Sequence, residues 1–162
     1  MAAEAVPLSV AWDDNLRITF VPSGADPLSV AVLGGATAKD LTYSLKTFNR
    51  AITEAVINDP RLTLKQILQK RGKITETLEV NYVFGDAADV AYAALAEGTE
   101  GFLVLRYSVS NSTAWAAAQT VDVITIECGR QRKDAPVENG VQTVTQTLFI
   151  TDVSADDSVT VA

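Results

Sequence analysis

The feature that most constrains the fold is an alternating run at residues 73–84, "KITETLEVNYVF". One face of this run, read as an extended chain, carries the apolar side chains of Ile74, Leu78, Val80, Tyr82 and Phe84. The other face is polar, and Glu76 alone interrupts the apolar face. Such alternation predicts a half-buried strand. A sheet with one apolar and one solvated face is typically antiparallel, because parallel strands are covered on both faces.

A short helix is predicted directly after this strand, at residues 86–97. Asp86 is a favourable N-cap, Asp89 faces the positive end of the helix, and Gly98 provides a C-terminal stop. The apolar side chains at helical spacing are Ala87, Val90, Ala91, Ala94 and Leu95. This one-sided stripe predicts a helix that packs beside the sheet.

A strand, a helix and a second strand raise the alternative of a nucleotide-binding βαβ unit. That unit needs a glycine-rich turn, whereas "FGDAAD" at residues 84–89 holds one glycine. An acidic residue at the helix start would also repel a phosphate group. We therefore interpret the helix as a scaffold element.

The remaining pattern predicts about eight strands in a single domain over residues 1–162. The predicted strands are residues 16–21, 28–33, 40–45, 61–68, 73–84, 101–109, 119–128 and 141–153. The segment 101–109 is apolar on both faces, which favours a central position. The predicted irregular segments are an extended N-terminal arm (1–15), a long, partly extended loop (46–60) and a polar hairpin loop (129–140). The expected fold is mainly β, a β-sandwich or barrel with one short α-helix packed beside the sheet.

Composition argues against several classes of function. The net charge of −7 makes a broad basic face for reading DNA unexpected. The chain contains no histidine, which removes the usual general base near neutral pH and the commonest ligand of zinc, copper and iron. The N-terminus lacks the pattern of a signal peptide, and no apolar run approaches the roughly 20 residues that cross a bilayer.

The individual motifs predict no catalytic, cofactor or metal site. The acidic segment 151–158 lacks the glycine that a calcium-binding EF-hand loop needs at its sixth position, and is interpreted as a solvated tail. The single cysteine, Cys128, has no histidine to activate it, so it is interpreted as a small buried residue. No spacing of carboxylates singles out a pair for acid–base chemistry.

Three stretches give the chain a resemblance to a known family. They are "DPRLTLKQILQKRGKITETLEVNYVFGDAADVAYAAL", "EGTEGFLVLR" and "GRQRKDAPVENGVQTVTQTLFIT". In these phrases the sequence resembles the major tail tube proteins of long-tailed (siphovirus-type) bacteriophages, particularly those that infect actinobacteria. The resemblance is strongest from about Asp59 to Thr151.

The resemblance implies a structural virion protein with neither enzymatic activity nor a cofactor. Such subunits close into rings, typically of six, and the rings stack into a hollow tail tube through which DNA passes without specific binding. The implied partners are further copies of the chain and the tail terminator, tape measure and tail tip proteins, with no membrane partner. The implied location is the virion tail, with assembly in the host cytoplasm. An acidic chain suits this role, because a channel wall that bound phosphate would stall the genome.

The loop 46–60 is the predicted assembly element, with a basic cluster in the hairpin loop as a second candidate. The residues predicted to contact another subunit are Phe48, Arg50, Ile52, Glu54, Val56 and Ile57 in the loop, and Arg130, Arg132 and Lys133 in the hairpin. Apolar side chains in so long a loop would be unfavourable in water but could be buried between subunits. The alternatives are a loop folded back on its own sheet and a basic hairpin tip that is merely solvated.

Two other classes of protein remain open on the residues alone. One is another β-rich assembly protein, such as a secretion-system tube subunit or a head–tail connector component. The other is a β domain that binds carbohydrate or another small ligand. Electron microscopy of the purified protein separates these classes, since filaments, rings and monomers look different.

Overall fold

The computed structural model describes residues 9–85 and 89–162. Within these residues it contains nine strands and two short helices. The strands are β1 (Leu16–Pro22), β2 (Lys39–Asp40), β3 (Leu45–Asp59), β4 (Leu68–Val83), β5 (Glu100–Tyr107), β6 (Thr120–Cys128), β7 (Arg132–Lys133), β8 (Thr143–Ile150) and β9 (Ala155–Val159). The helices are α1 (Val30–Leu33) and α2 (Val90–Ala94). The mainly β prediction is confirmed.

All nine strands belong to one antiparallel sheet. Seven of them follow the order β2-β1-β5-β6-β8-β4-β3, while β7 pairs with β8 and β9 pairs with β6. The strands on either side of α2 are β4 and β5, and two other strands separate them in the sheet. A parallel βαβ unit is therefore absent from this part of the chain, as the missing glycine fingerprint predicted.

The main apolar core lies on one face of the sheet. Side chains from β1, β4, β5, β6 and β8 meet in one buried cluster, which includes Phe20, Leu78, Leu105, Ile126 and Leu148. The alternation predicted for β4 is confirmed at Leu78, Val80 and Tyr82, which are all buried. Helix α2 adds Ala91 and Leu95 to this cluster, so it packs against the sheet.

The other face of β5 is also covered, which confirms its predicted central position. Val104 lies in a second buried cluster together with Val21, Leu33 and Trp115. Helix α1 and the connection between β5 and β6 supply two of these residues. Both faces of β5 are therefore buried, as its unbroken apolar sequence indicates.

Two glutamines attach α2 to the sheet through the carbonyl groups at its end. Nε2 of Gln131 donates a 2.8 Å hydrogen bond to the Tyr92 carbonyl, and Nε2 of Gln146 donates one of 2.8 Å to the Leu95 carbonyl. The last carbonyls of a helix have no partner within the helix. These side chains therefore satisfy groups that would otherwise be buried without a hydrogen bond.

The helix itself is shorter than predicted. Asp86 and Ala87 lie outside the described residues, and α2 begins at Val90 with Asp89 at the N-cap position. The Asp89 side chain accepts a 3.0 Å hydrogen bond from the backbone N–H of Gly85 instead of capping the helix. The chain leaves the helix through Gly98, whose φ of +77° suits glycine.

Three predicted strands are wrong. The strand predicted at 28–33 is replaced by helix α1 (Val30–Leu33), in which the N–H groups of Leu33 and Gly34 donate to the carbonyls four residues earlier. The strand predicted at 40–45 stops at Asp40, whose carboxylate accepts a 3.0 Å hydrogen bond from the Thr42 N–H and closes a turn. The segment 61–67 forms the end of a hairpin, with strand β4 beginning only at Leu68.

Two segments predicted to be irregular are strands, which is a further correction. Residues 46–60 are not a loop, since β3 runs from Leu45 to Asp59 and pairs with β4 along almost its whole length. The acidic segment 151–158 is not a solvated tail, because Ala155–Val159 forms β9 against β6. Of the predicted N-terminal arm (1–15), residues 1–8 lie outside the described residues and 12–15 form a turn.

Candidate functional site

The most distinctive surface is the outer part of the hairpin formed by β3 and β4. We define the arm as residues 51–75, in which nearly every side chain is exposed on both faces of the hairpin. Cross-strand pairing continues through it, from Ile52 opposite Glu76 to Asp59 opposite Leu68. The buried part of the same hairpin begins at Leu78. The arm is therefore a regular two-stranded ribbon that extends beyond the core.

Gly72 allows a bulge within the arm. Glu54 pairs with Ile74 and Val56 pairs with Arg71, so β4 contains one more residue than β3 over this interval. A Cβ atom at Gly72 would lie 2.8 Å from the carbonyl oxygen of Ala55, which is closer than side chains tolerate. A bulge bends the ribbon and increases its twist. The glycine thus shapes the direction in which the arm extends.

The arm exposes an unusual number of large apolar side chains. They are Ile52, Val56, Ile57, Leu62, Leu64, Ile67, Leu68 and Ile74. Leu62, at the tip, is fully exposed. Exposed apolar side chains in such number are typical of surfaces that contact another protein.

The charge of the arm is opposite to that of the rest of the chain. Its cations are Arg61, Lys65, Lys70, Arg71 and Lys73, and its acids are Glu54 and Asp59. Five cations and two acids give the arm +3, so a chain of net charge −7 carries −10 elsewhere. The acids pair with Arg71 and Arg61 respectively. The three lysines form no ion pair with any residue that the structure describes.

Arg50 anchors the base of the arm to the body of the sheet. Its guanidinium lies 3.2 Å from Glu76 of β4, 3.2 Å from Asp156 of β9 and 4.0 Å from Asp122 of β6. Burial of the guanidinium opposes its ionisation, but hydrogen bonds and charge from Asp156 and Glu76 outweigh burial, so the pKa of Arg50 is raised. One cation therefore links β3 to three other strands.

A groove lies beside this ionic cluster. It has a volume of about 470 Å³ and runs between the inner end of the arm and the turn that follows β8. The groove is lined by Ile74, Glu76, Ile150, Thr151, Asp152, Val153 and Ser154. The hydroxyl of Ser154 donates a 2.9 Å hydrogen bond to Glu76, which ties the two walls together. Most of the lining is apolar, and Val153 is 87% exposed.

Comparison with known families decides between the classes that the sequence left open. The family described as "Phage tail tube protein" matches residues 4–162. The chain belongs to the phage tail tube protein family. It is a structural subunit of a phage tail tube, and hence a component of the virion tail. No curated protein sequence matches it.

The fold of this tail tube protein also occurs in a solved structure of low sequence identity. A chain from the cryo-EM structure of the anti-feeding prophage baseplate, 6-fold symmetrised, matches with a TM-score of 0.52 at 11% identity, and the match covers 96% of this chain and 98% of the other. The crystal structure of an Hcp protein matches with a TM-score of 0.46 at 9% identity, covering 88% and 99%. The match to the baseplate chain shows a similar fold over nearly the whole chain.

The interface residues predicted in the loop occupy two different environments in the tail tube protein. Ile52, Val56 and Ile57 lie in the exposed arm. Phe48 packs against the core, and Arg50 binds carboxylates of its own chain, so these two residues support the base of the arm. Glu54 pairs with Arg71 across the ribbon.

The basic cluster lies apart from the arm. Arg130, Arg132 and Lys133 are exposed, with Arg132 at 3.5 Å from Glu79 and Lys133 5.2 Å from the ring of Phe84. The neighbouring Asp134 holds this segment on the sheet, since its carboxylate accepts hydrogen bonds from Thr143, Thr145 and Asn81. No contact within the described residues joins the cluster to the arm.

Sequence reasoning missed the tip of the arm. Leu62, Leu64 and Lys65 were assigned to a strand of the body, because their alternation resembles that of a half-buried strand. The signal that would have found them is charge, since five of the thirteen lysines and arginines fall within residues 61–73. An excess of cations beside leucines is unusual in an acidic chain.

The described residues of the tail tube protein contain no group of three or more histidine, cysteine, aspartate or glutamate side chains that could hold a metal ion. Cys128 is buried, and burial raises the pKa of its thiol to about 12. The thiolate that would act as a nucleophile is therefore scarce. None of the described helices has the length and apolar character to span a membrane.

Proposed function

We propose that copies of this tail tube subunit join through the arm into rings of six, and that the rings stack into a hollow tube. The observation that carries the proposal is the arm itself. Its ribbon extends past the core with apolar side chains on it, and Arg50 fixes its base. Burial of that apolar surface against a neighbour would supply the free energy of association.

The residues proposed to contact a neighbour are Ile52, Glu54, Val56 and Ile57 in the arm. Phe48 and Arg50 hold the arm in place from within the body. The basic cluster of Arg130, Arg132 and Lys133 provides a second contact, with an acidic surface on another copy. Two contact surfaces suit a subunit that must touch neighbours both within a ring and between rings.

DNA passes through the tube without specific binding. The chain carries −10 outside the arm, so a wall built from the body repels the phosphate backbone. Burial of the arm between subunits keeps its cations away from the genome. The subunit catalyses no reaction and takes no cofactor. It assembles in the host cytoplasm, where tail terminator, tape measure and tail tip proteins set the ends and the length of the tube.

Shortening the arm tests the proposal. Replacing residues 54–74 with Asn-Gly joins the paired residues Thr53 and Thr75 by a two-residue turn and leaves the buried part of the hairpin intact. Purified protein is then viewed by negative-stain electron microscopy. The full chain is expected to form tubes, whereas the shortened chain should remain monomeric with a β-type circular dichroism spectrum.

A matched control removes exposed apolar side chains elsewhere. Val137→Ser with Val141→Ser changes two exposed valines in the connection between β7 and β8. This variant should form tubes as the full chain does. Tubes of unchanged diameter from the shortened chain would show that the arm is not the assembly element.

A further inference from the structure

We propose that the tip of one subunit's arm docks in the groove beside the arm base of the next subunit. This inference rests on the proposed function and names the surface that receives the arm. The docked residues are Leu62 and Leu64 of the tip, and the receiving walls are formed by Ile74, Ile150 and Val153.

The occupant of the groove is a second copy and not the same chain. Ile74 lines the groove and lies in the arm, ten residues from Leu64 near the tip. The paired part of this distance, from Leu68 to Ile74, spans roughly 20 Å, so a tip cannot return to its own groove unless the ribbon unpairs. The groove is therefore open to the tip of another subunit.

Apolar character matches on the two surfaces. The groove volume of about 470 Å³ is large enough for a few aliphatic side chains. Val153 is 87% exposed, and Leu62 at the tip is fully exposed, so both surfaces lose water when they meet. In a single subunit, the apolar side chains of the tip and of the groove are both exposed to solvent.

Charge is also complementary. The segment 149–162 contains the acids Asp152, Asp156 and Asp157 and no lysine or arginine. The arm presents Lys65, Lys70 and Lys73, which form no ion pair within the described residues. Opposite potentials on two surfaces steer them together and disfavour wrong pairings.

The docking connects two different surfaces of the subunit. Each copy has one tip and one groove, so every copy can give one contact and receive another. A head-to-tail contact of this kind propagates, and it forms a ring when the rotation closes or a filament when it does not. The contact therefore suits a subunit that polymerises.

Site-specific disulfide formation tests the docking. A chain carrying Leu64→Cys and Val153→Cys is assembled and treated with a mild oxidant, and the products are separated without reductant. We expect a ladder of covalently linked oligomers. Cys128 is buried, and its pKa of about 12 keeps it out of the reaction.

The control pairs the same tip with a different exposed valine. Leu64→Cys with Val137→Cys uses a position that is 74% exposed and lies away from the groove. This chain should give no ladder. Equal ladders from the two pairs, or no ladder from either, would overturn the docking.

The arm-shortened chain separates failure of this inference from failure of the proposed function. If the shortened chain does not form tubes and the disulfide pair does not link, the arm drives assembly but docks elsewhere. If the shortened chain still forms tubes, the proposed function itself fails. A wild-type melting temperature in each cysteine variant excludes misfolding, since all three positions are exposed.

Discussion

The hydroxyl of Tyr82 donates a 2.8 Å hydrogen bond to Oε1 of Gln146 in the core, where neither side chain is exposed. Nε2 of Gln146 donates to the carbonyls of Leu95 and Gly129, at 2.8 and 2.7 Å. One glutamine thus connects strand β4, the end of α2 and the connection after β6. Burial raises the pKa of Tyr82 to about 12, so this hydroxyl keeps its proton at neutral pH.

Replacement of Gln146 by leucine should destabilise the fold strongly. The variant leaves the carbonyls of Leu95 and Gly129 buried without their donor, and each such group costs about 1–3 kcal/mol. We expect Gln146→Leu to lower the free energy of unfolding by roughly 2–4 kcal/mol in urea denaturation. Gln142→Leu changes an exposed glutamine and is the control. Indistinguishable unfolding midpoints for the two variants would contradict the network.

A charge on the buried face of α2 should be poorly tolerated. Leu95 is completely buried against the sheet, so Leu95→Asp removes apolar contacts and buries a carboxylate without a partner. We expect a loss of at least about 3 kcal/mol in the free energy of unfolding. Ala93→Asp places the same charge on the exposed side of α2 and should cost less than about 1 kcal/mol. Tyr92 is a poorer control, because it stacks on Phe84.

Arg106 should hold the connection between β5 and β6 in place. Its guanidinium is fully buried, donates to the carbonyls of Ser110 and Thr113 at 3.0 and 2.9 Å, and lies 4.7 Å from the Trp115 ring. Burial lowers the pKa of Arg106. Arg106→Met removes these hydrogen bonds and the charge beside the Trp115 ring, and we expect a loss of roughly 2–4 kcal/mol in the free energy of unfolding.

Fluorescence reports the local effect of that substitution. In a Trp12→Phe background the emission comes from Trp115, the other of the two tryptophans. We expect a red shift for Arg106→Met, because the loosened connection exposes the indole to water. Arg132→Met removes an exposed arginine and should leave the spectrum unchanged. A spectrum that is also unchanged for Arg106→Met would contradict the role of Arg106.

Asp134 should make stability depend on pH in the acid range. Hydrogen bonds from Thr143 and Thr145 lower its pKa against the opposing effect of desolvation, and a hydrogen bond from Asn81 lowers it further. A carboxyl group whose folded pKa is lowered stabilises fully above its unfolded pKa of about 3.9, and that stabilisation is lost as the pH falls through the folded pKa. Asp134→Asn should therefore melt below wild type at pH 7, with the difference closing in strong acid. Glu138→Gln, in the same connection, should leave the melting temperature unchanged at both pH values.

The strands in the body of the sheet could be predicted from the sequence because each of their side chains is either buried or exposed in a regular pattern. In β4, buried residues such as Leu78 and Val80 alternate with exposed ones, whereas β5 is apolar on both faces. The sequence pattern of each strand therefore indicates which side chains are buried. These patterns are local, and they were interpreted correctly. Asp89 was expected at the third position inside the helix, but it is the N-cap residue, and its carboxylate contacts Gly85.

The arm could not be predicted because its strand structure depends on the pairing of β3 with β4 and not on the burial of its side chains. From Ala51 to Asn58 the side chains of β3 are exposed on both faces, so no alternation marks the strand. Its regularity comes from hydrogen bonds to β4, which is a relation between distant parts of the sequence. Strand β9 was missed for a similar reason, since its Asp156 is held by Arg50, far away in the chain.

The ribosome synthesises the arm tip before the groove that is proposed to receive it. The arm tip near Leu64 leaves the ribosome roughly 90 residues before Val153 of the groove, a delay of roughly 5–20 s at usual rates of synthesis. Strand β1 also stays without its β5 partner until Tyr107, which pairs with Leu16, has been synthesised. A nascent chain therefore displays its tip while it has no groove to offer. If the tip docks as proposed, a nascent chain can attach to a finished subunit but can receive no further subunit until its own groove is complete.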